Sequence, residues 1–88
     1  MTLQQLRYVI QAADSRSMNE AAKALYISQP SLSGAIKELE KEIGIELFKR
    51  SSHGTVLTPE GEEFLGYARQ VTDQYQLCLL YTSPSPRD

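Results

Sequence analysis

The feature that most restricts this chain is a pair of short amphipathic segments, Ser17 to Leu25 and Ser28 to Ile43, joined by the turn Tyr26-Ile27-Ser28. So short a link makes the two helices pack on each other as a helix-turn-helix. Ser17-Met18-Asn19-Glu20 has the pattern of a capping box, in which the serine oxygen and the glutamate three residues on satisfy free amide donors. The helix it opens buries Met18, Ala21, Ala22 and Leu25, and the adjacent alanines let another helix approach closely. Ser28 caps the next helix, and Pro30 is tolerated because a first-turn amide has no intrahelical partner. That helix buries Leu32, Ala35, Ile36, Leu39 and Ile43, and Gly44 is its expected left-handed terminator. Its opposite face carries Gln29, Ser33, Gly34, Lys37 and Lys41.

On the amino-terminal side, Leu3, Leu6, Val9, Ile10 and Ala13 have the spacing of a helix with one buried stripe, which Asp14-Ser15-Arg16 breaks. Ile45 to Thr58 reads as two short strands around an exposed loop, with Lys49 to Gly54 polar and Thr55-Val56-Leu57 strand-like. Ala21, Ala22, Leu32, Ile36 and Phe48 are assigned to the core. Thr58-Pro59-Glu60 opens a further helix with a cap, a first-turn proline and an acid at the positive dipole end. Phe64, Leu65, Ala68, Val71, Thr72 and Tyr75 give this helix an apolar stripe, which needs a partner; the simplest is its own copy. The expected fold is mainly α: a winged helix-turn-helix of three helices and a small two-stranded β wing over residues 1–58, then a dimerisation linker helix over 59–76. Leu77 to Asp88 match neither part, and Ser83-Pro84-Ser85-Pro86 ends any helix. This tail reads either as a frayed terminus or, the reading we favour, as a non-native ending from a truncated or contaminated reading frame.

Composition narrows the functional classes. With 88 residues, 41% hydrophobic and 23% charged, the chain fits one small globular domain. No apolar run approaches the roughly 20 residues of a membrane helix, and the amino terminus lacks the pattern of a signal peptide. A lone Cys78 and a lone His53 build neither an internal disulfide nor an ordinary zinc site. The expectation is a cytoplasmic protein with no cofactor, metal or membrane partner. A net charge of −2 speaks against a nucleic-acid binder, since such domains are usually basic. Placement matters more than the sum, however. Lys23, Lys37, Lys41, Lys49, Arg50 and His53 fall in the middle of the chain, whereas Glu60, Glu62, Glu63 and Asp73 lie in the last helical stretch. Glu38, Glu40, Glu42 and Glu46 dilute the pattern.

The exposed face of the third segment has the chemistry of base readout. A helix entering a major groove about 12 Å wide must carry small side chains or ones that hydrogen-bond base edges. Gln29 can pair bidentately with adenine, Ser31 and Ser33 can reach bases or phosphates, and Gly34 lets the backbone come close; Pro30 shares the same first turn. Lys37, Lys41 and Arg50 suit phosphates, which set affinity and orientation. Ser51 and His53 would extend the contact from the loop. Each has a plainer reading. Gln29 can bond only its own backbone, Ser28 can be a cap alone, and Ser33 can be an ordinary exposed serine. Lys37 and Lys41 can be solvated or paired with neighbouring glutamates, and Arg50 can pair with Glu46. For His53 the solvated-loop reading is preferred.

Leu6-Arg7-Tyr8-Val9, Ser17 to Ala22, Ser28-Gln29-Pro30-Ser31-Leu32-Ser33, Ile36 to Glu40, Gly44, Leu47-Phe48-Lys49-Arg50 and Leu57-Thr58-Pro59-Glu60-Gly61 together form an ordered set. In that combination the chain resembles the LysR-type transcriptional regulators over about residues 1–76. The resemblance implies a winged helix-turn-helix whose recognition helix and wing contact double-stranded DNA, and a linker helix that forms a homodimer. It also implies a larger carboxyl-terminal domain, absent from this sequence, that binds a small-molecule inducer. Two positions depart from the family pattern: Gly34 stands where a large basic or amide side chain is common, and His53 where an arginine is common. A protonated His53 can still contact a narrow minor groove.

Two rivals stand beside this reading. One is a dimerisation or protein-interaction module built on the last helix, acting without DNA. The other is a winged-helix regulator of another family, such as a molybdate-responsive one. An enzyme is disfavoured, because no nucleophile elbow, phosphate-cradling glycine loop or Ser-x-x-Lys motif is present.

Overall fold

The computed structural model describes residues 1–52 and 54–82. Four helices and one hairpin follow in the order α1 (Leu3–Asp14), α2 (Met18–Leu25), α3 (Gln29–Ile43), β1 (Phe48–Ser51), β2 (Gly54–Leu57) and α4 (Pro59–Thr82). This is the mainly helical winged architecture expected. No helix among the described residues is long and apolar enough to cross a membrane.

The helix ends explain the boundaries. Ser17 Oγ accepts from the Glu20 N–H at 3.2 Å, but the Glu20 carboxylate turns to the Arg16 N–H rather than closing the box on Ser17. The reciprocal box forms instead at Thr2, whose hydroxyl accepts from Gln5 N–H while Gln5 Oε1 accepts from Thr2 N–H. Ser28 caps α3, and Gly44 ends it at φ 76° with its N–H on Glu40 O. Tyr26 ends α2 in the same left-handed region, at φ 60°, where a side chain is unusual.

α1, α2 and α3 pack on one another around Val9, Ala12, Ala21, Ala22, Leu32, Ile36, Leu39 and Leu47. The fully buried alanines are the close-approach surface of α2. In α1 the buried stripe is Leu6, Val9 and Ala12, with Ile10 and Ala13 at its half-buried flanks. Met18, Leu25, Ala35 and Ile43 are also half-buried rather than central. Phe48, expected in the core, is half-buried too, and the preceding Leu47 is fully enclosed. The reason lies in the backbone at the wing's base. Leu47 O accepts from the Thr58 N–H at 3.0 Å, holding this peptide against the start of α4. Phe48 begins the strand on the outer side.

β1 and β2 pair antiparallel with Phe48 opposite Leu57, Lys49 opposite Val56, Arg50 opposite Thr55 and Ser51 opposite Gly54. Thr58, 5% exposed, caps α4 by accepting from the Gly61 N–H at 2.8 Å, while its hydroxyl donates to Glu46 O. α4 then runs antiparallel along α1: Arg69 pairs with Asp14 at 2.6 Å, and Arg7 lies over the Tyr75 ring at 5.6 Å. At 1.5 Å per residue a helix of this length spans about 36 Å, and it dominates the 55 Å long axis of the molecule. It continues through Thr82, beyond the residue-76 limit drawn from sequence.

Candidate nucleic-acid interface

One flank of α3 and the hairpin enclose an open groove. Its floor is Gln29, Ser33, Ile36, Lys37 and Glu40 of α3; Phe48, Lys49, Arg50 and Thr55 of the wing form one wall, and Ser17, Met18 and Asn19 at the start of α2 the other. The one-turn spacing of Gln29, Ser33 and Lys37 stacks them along the helix. The pairing of β1 with β2 sets Arg50 opposite Thr55, and both line the same groove.

Gln29 is held before any partner arrives. Its Nε2 donates to Ser33 Oγ at 2.8 Å. One N–H and the carbonyl oxygen of the same amide remain, the two groups that a bidentate adenine contact uses. Ser31 is engaged in the cap: its N–H and hydroxyl both meet Ser28 Oγ, at 3.3 and 2.9 Å. Pro30 and Ser31 are exposed on the first turn and lie outside the groove lining. Gly34, Lys37 and Lys41 border a second concavity, together with Glu38, Glu40, Gly44 and Glu46, so Lys37 sits between the two depressions. A methyl group at Gly34 would meet nothing within 4 Å. The chain's own packing therefore does not demand glycine there.

Among the described residues no ion pair engages Lys37, Lys41 or Arg50. The pairing of Arg50 with Glu46 does not form, because four-residue spacing brings side chains together on a helix and not on an extended strand. Ser51 donates to Gly54 O at 3.0 Å, which commits its hydroxyl to closing the hairpin. His53 lies outside the described residues.

The groove also holds Asn19, Glu40, Lys49 and Thr55, none of which the sequence reading singles out as a contact. Glu40 carried a legible signal, since it continues the one-turn row Leu32, Ile36 and so places an acid at the edge of an apolar stripe. Its Oε2 accepts from the N–H groups of Leu47 at 2.7 Å and Phe48 at 3.2 Å.

The stripe expected at a seam between two copies divides. Phe64 and Leu65 pack against the chain's own core, and Ala68 is 1% exposed within the single chain. The antiparallel seating of α4 on α1 encloses Ala68 and leaves Phe64 and Leu65 half-buried. Thr72 is half-buried and donates to Arg69 O, while Val71 and Tyr75 are 48% and 42% exposed. Every residue from Asp73 to Tyr81 is exposed, including Leu77, Leu79 and Leu80.

Comparison with known proteins places this geometry in a family. Residues 3–62 match the model described as bacterial regulatory helix-turn-helix protein, lysR family. The HTH-type transcriptional regulator BudR of Klebsiella aerogenes is 52% identical over 64 residues, covering 73% of this chain and 45% of BudR. TfdS, an HTH-type transcriptional regulator of Cupriavidus pinatubonensis, is 42% identical over 73 residues, 83% of this chain and 25% of TfdS. The chain thus spans from a quarter to under half the length of these curated relatives. The crystal structure of the BenM_DBD/benA site 1 DNA complex superposes with a TM-score of 0.88 at 38% identity, covering 93% of this chain and 92% of that one.

Proposed function

This chain belongs to the LysR family of bacterial regulatory helix-turn-helix proteins, and on that premise we propose that it is the DNA-binding segment of a transcription regulator. Its α3 enters the major groove of double-stranded DNA, and the wing lies on the adjacent minor groove or backbone. The observation that carries this reading is the single groove in which Gln29, Ser33 and Lys37 of α3 face Lys49 and Arg50 of the wing. A neighbour of nearly the same length and fold is a DNA complex, which supports the same assignment. Gln29 and Ser33 read base edges; Lys37, Lys41, Lys49 and Arg50 hold phosphates. Two copies joined through the exposed part of α4 would present two such heads to successive half-sites. Such a regulator acts in the bacterial cytoplasm, at the nucleoid.

The net charge of −2 is no obstacle, because the acids of α4 and the cations of the groove sit on different elements. The test is binding of the purified chain to a mixed-sequence duplex, followed by salt titration. Binding that weakens steeply and log-linearly as salt rises is expected, as phosphate neutralisation releases counterions. No retardation of any duplex at low salt would overturn the assignment.

A further inference from the structure

Glu40 is an anomaly in a surface meant for DNA. It brings a carboxylate into the groove that holds Lys37, Lys49 and Arg50, where phosphates are to be neutralised. By charge alone it weakens binding. Its geometry gives another reason for its presence. One oxygen, Oε2, accepts both the Leu47 and Phe48 N–H groups, and Phe48 is the first residue of β1. The same Leu47 peptide is gripped from the far side, its carbonyl accepting from the Thr58 N–H. The start of the wing is therefore fixed between the last turn of α3 and the cap of α4.

We propose that Glu40 is a positioning residue for DNA recognition: it sets the angle of the wing against α3, so that Arg50 reaches backbone phosphates while Gln29 and Ser33 reach bases. The inference rests on the DNA-binding reading above. The bond needs reach, not charge. A glutamine preserves the accepting oxygen and removes the negative charge, whereas an aspartate preserves the charge but is one methylene short.

The full chain and its Glu40→Gln, Glu40→Asp, Arg50→Ala and Glu40→Asp/Arg50→Ala variants are titrated with salt on one mixed-sequence duplex. Glu40→Gln is expected to bind at least as tightly as the parent, with the parent's salt slope. Glu40→Asp is expected to lose about one unit of slope, as Arg50→Ala does, and the double variant to lose no more than Arg50→Ala alone. A role in bulk electrostatics predicts instead that Glu40→Gln departs from the parent's slope while Glu40→Asp, which keeps the charge, retains it. An unchanged Glu40→Asp slope, additive losses in the double variant, or a Glu40→Gln loss equal to that of aspartate would each overturn the proposal. If Glu40→Asp melts below the assay temperature, Glu40→Gln decides alone: the parent's slope supports the role and a lost unit overturns it. Failure of the parent to bind any duplex would instead remove the DNA reading itself, so the two failures are distinguishable.

Discussion

A methyl group added at Gly61 would lie 2.2 Å from the carbonyl oxygen of Leu47. The first turn of α4 thus rests directly on the backbone at the base of the wing, and only glycine permits the approach. Gly61→Ala should raise helix propensity by about 1 kcal/mol at this helical position. The obstructing atom is backbone, however, and cannot rotate away. Overpacking of this kind costs about 1–3 kcal/mol, and here it also strains the Thr58–Leu47 bond. The expected result is a lower thermal midpoint than the parent's. An equal or higher midpoint would show that α4 does not sit so closely on Leu47.

Tyr26 holds a left-handed conformation at φ 60° with its side chain 94% exposed. The ring gains little from burial, while the backbone geometry costs about 1–2 kcal/mol for a residue other than glycine. Asparagine adopts this region more readily. Tyr26→Asn should therefore stabilise the chain by about 0.5–1 kcal/mol, raising the melting midpoint by about 2–8 °C for a domain of this size. A falling midpoint would mean that the tyrosine makes a contribution its exposure does not reveal.

These two turns mark what can be read from the sequence. Gly44 is recognisable as a terminator because glycine has a known conformational reason to be there. Tyr26 fills the same role with no such signature, so α2's end had to be inferred from the serine that follows. Apolar periodicity places every helix, but it cannot separate Leu47 from Phe48, adjacent apolar residues at a strand's start. What separates them is Glu40 and Thr58 binding the Leu47 peptide, partners seven and eleven residues away. The row Gln29, Ser33, Lys37 was legible from helical spacing alone. The wing's share of the groove depends on strand register, which places Arg50 beside Thr55 and denies it the helical partner Glu46. Phe64, Leu65 and Ala68 read equally well as a seam or as a core, because a stripe does not declare which helix covers it.

Gln29 and Ser33 act as a unit in this arrangement, since the amide donates to the hydroxyl at 2.8 Å. Gln29→Ala should weaken binding to a preferred sequence, selected from a randomised duplex pool, by about 1–3 kcal/mol and leave non-specific affinity unchanged. Ser33→Ala frees the Gln29 side chain and should lose part of the same discrimination. In the Gln29→Ala background the second substitution should then add less than it does alone. Fully additive losses would show that Ser33 contacts DNA independently of Gln29.

Val71 lies on α4 one turn before Tyr75 and is 48% exposed. Of the three preceding members of the stripe, Ala68 is enclosed and Phe64 and Leu65 are half-buried within the chain, so the proposed dimer would draw most on Val71, Tyr75 and the exposed residues that follow. Tyr75 is partly held by the Arg7 guanidinium, which leaves Val71 as the cleaner probe. Glutamate there keeps good helix propensity but places a charge in a seam between two copies. Val71→Glu should weaken the dimer by about 1–3 kcal/mol, a rise of about fivefold to 150-fold in its dissociation constant measured by sedimentation. The melting of the single chain should move by no more than about 0.5 kcal/mol, as for an ordinary surface substitution. DNA binding should lose the cooperativity between half-sites while each head keeps its groove. An unaltered dissociation constant would place the seam on another face of α4.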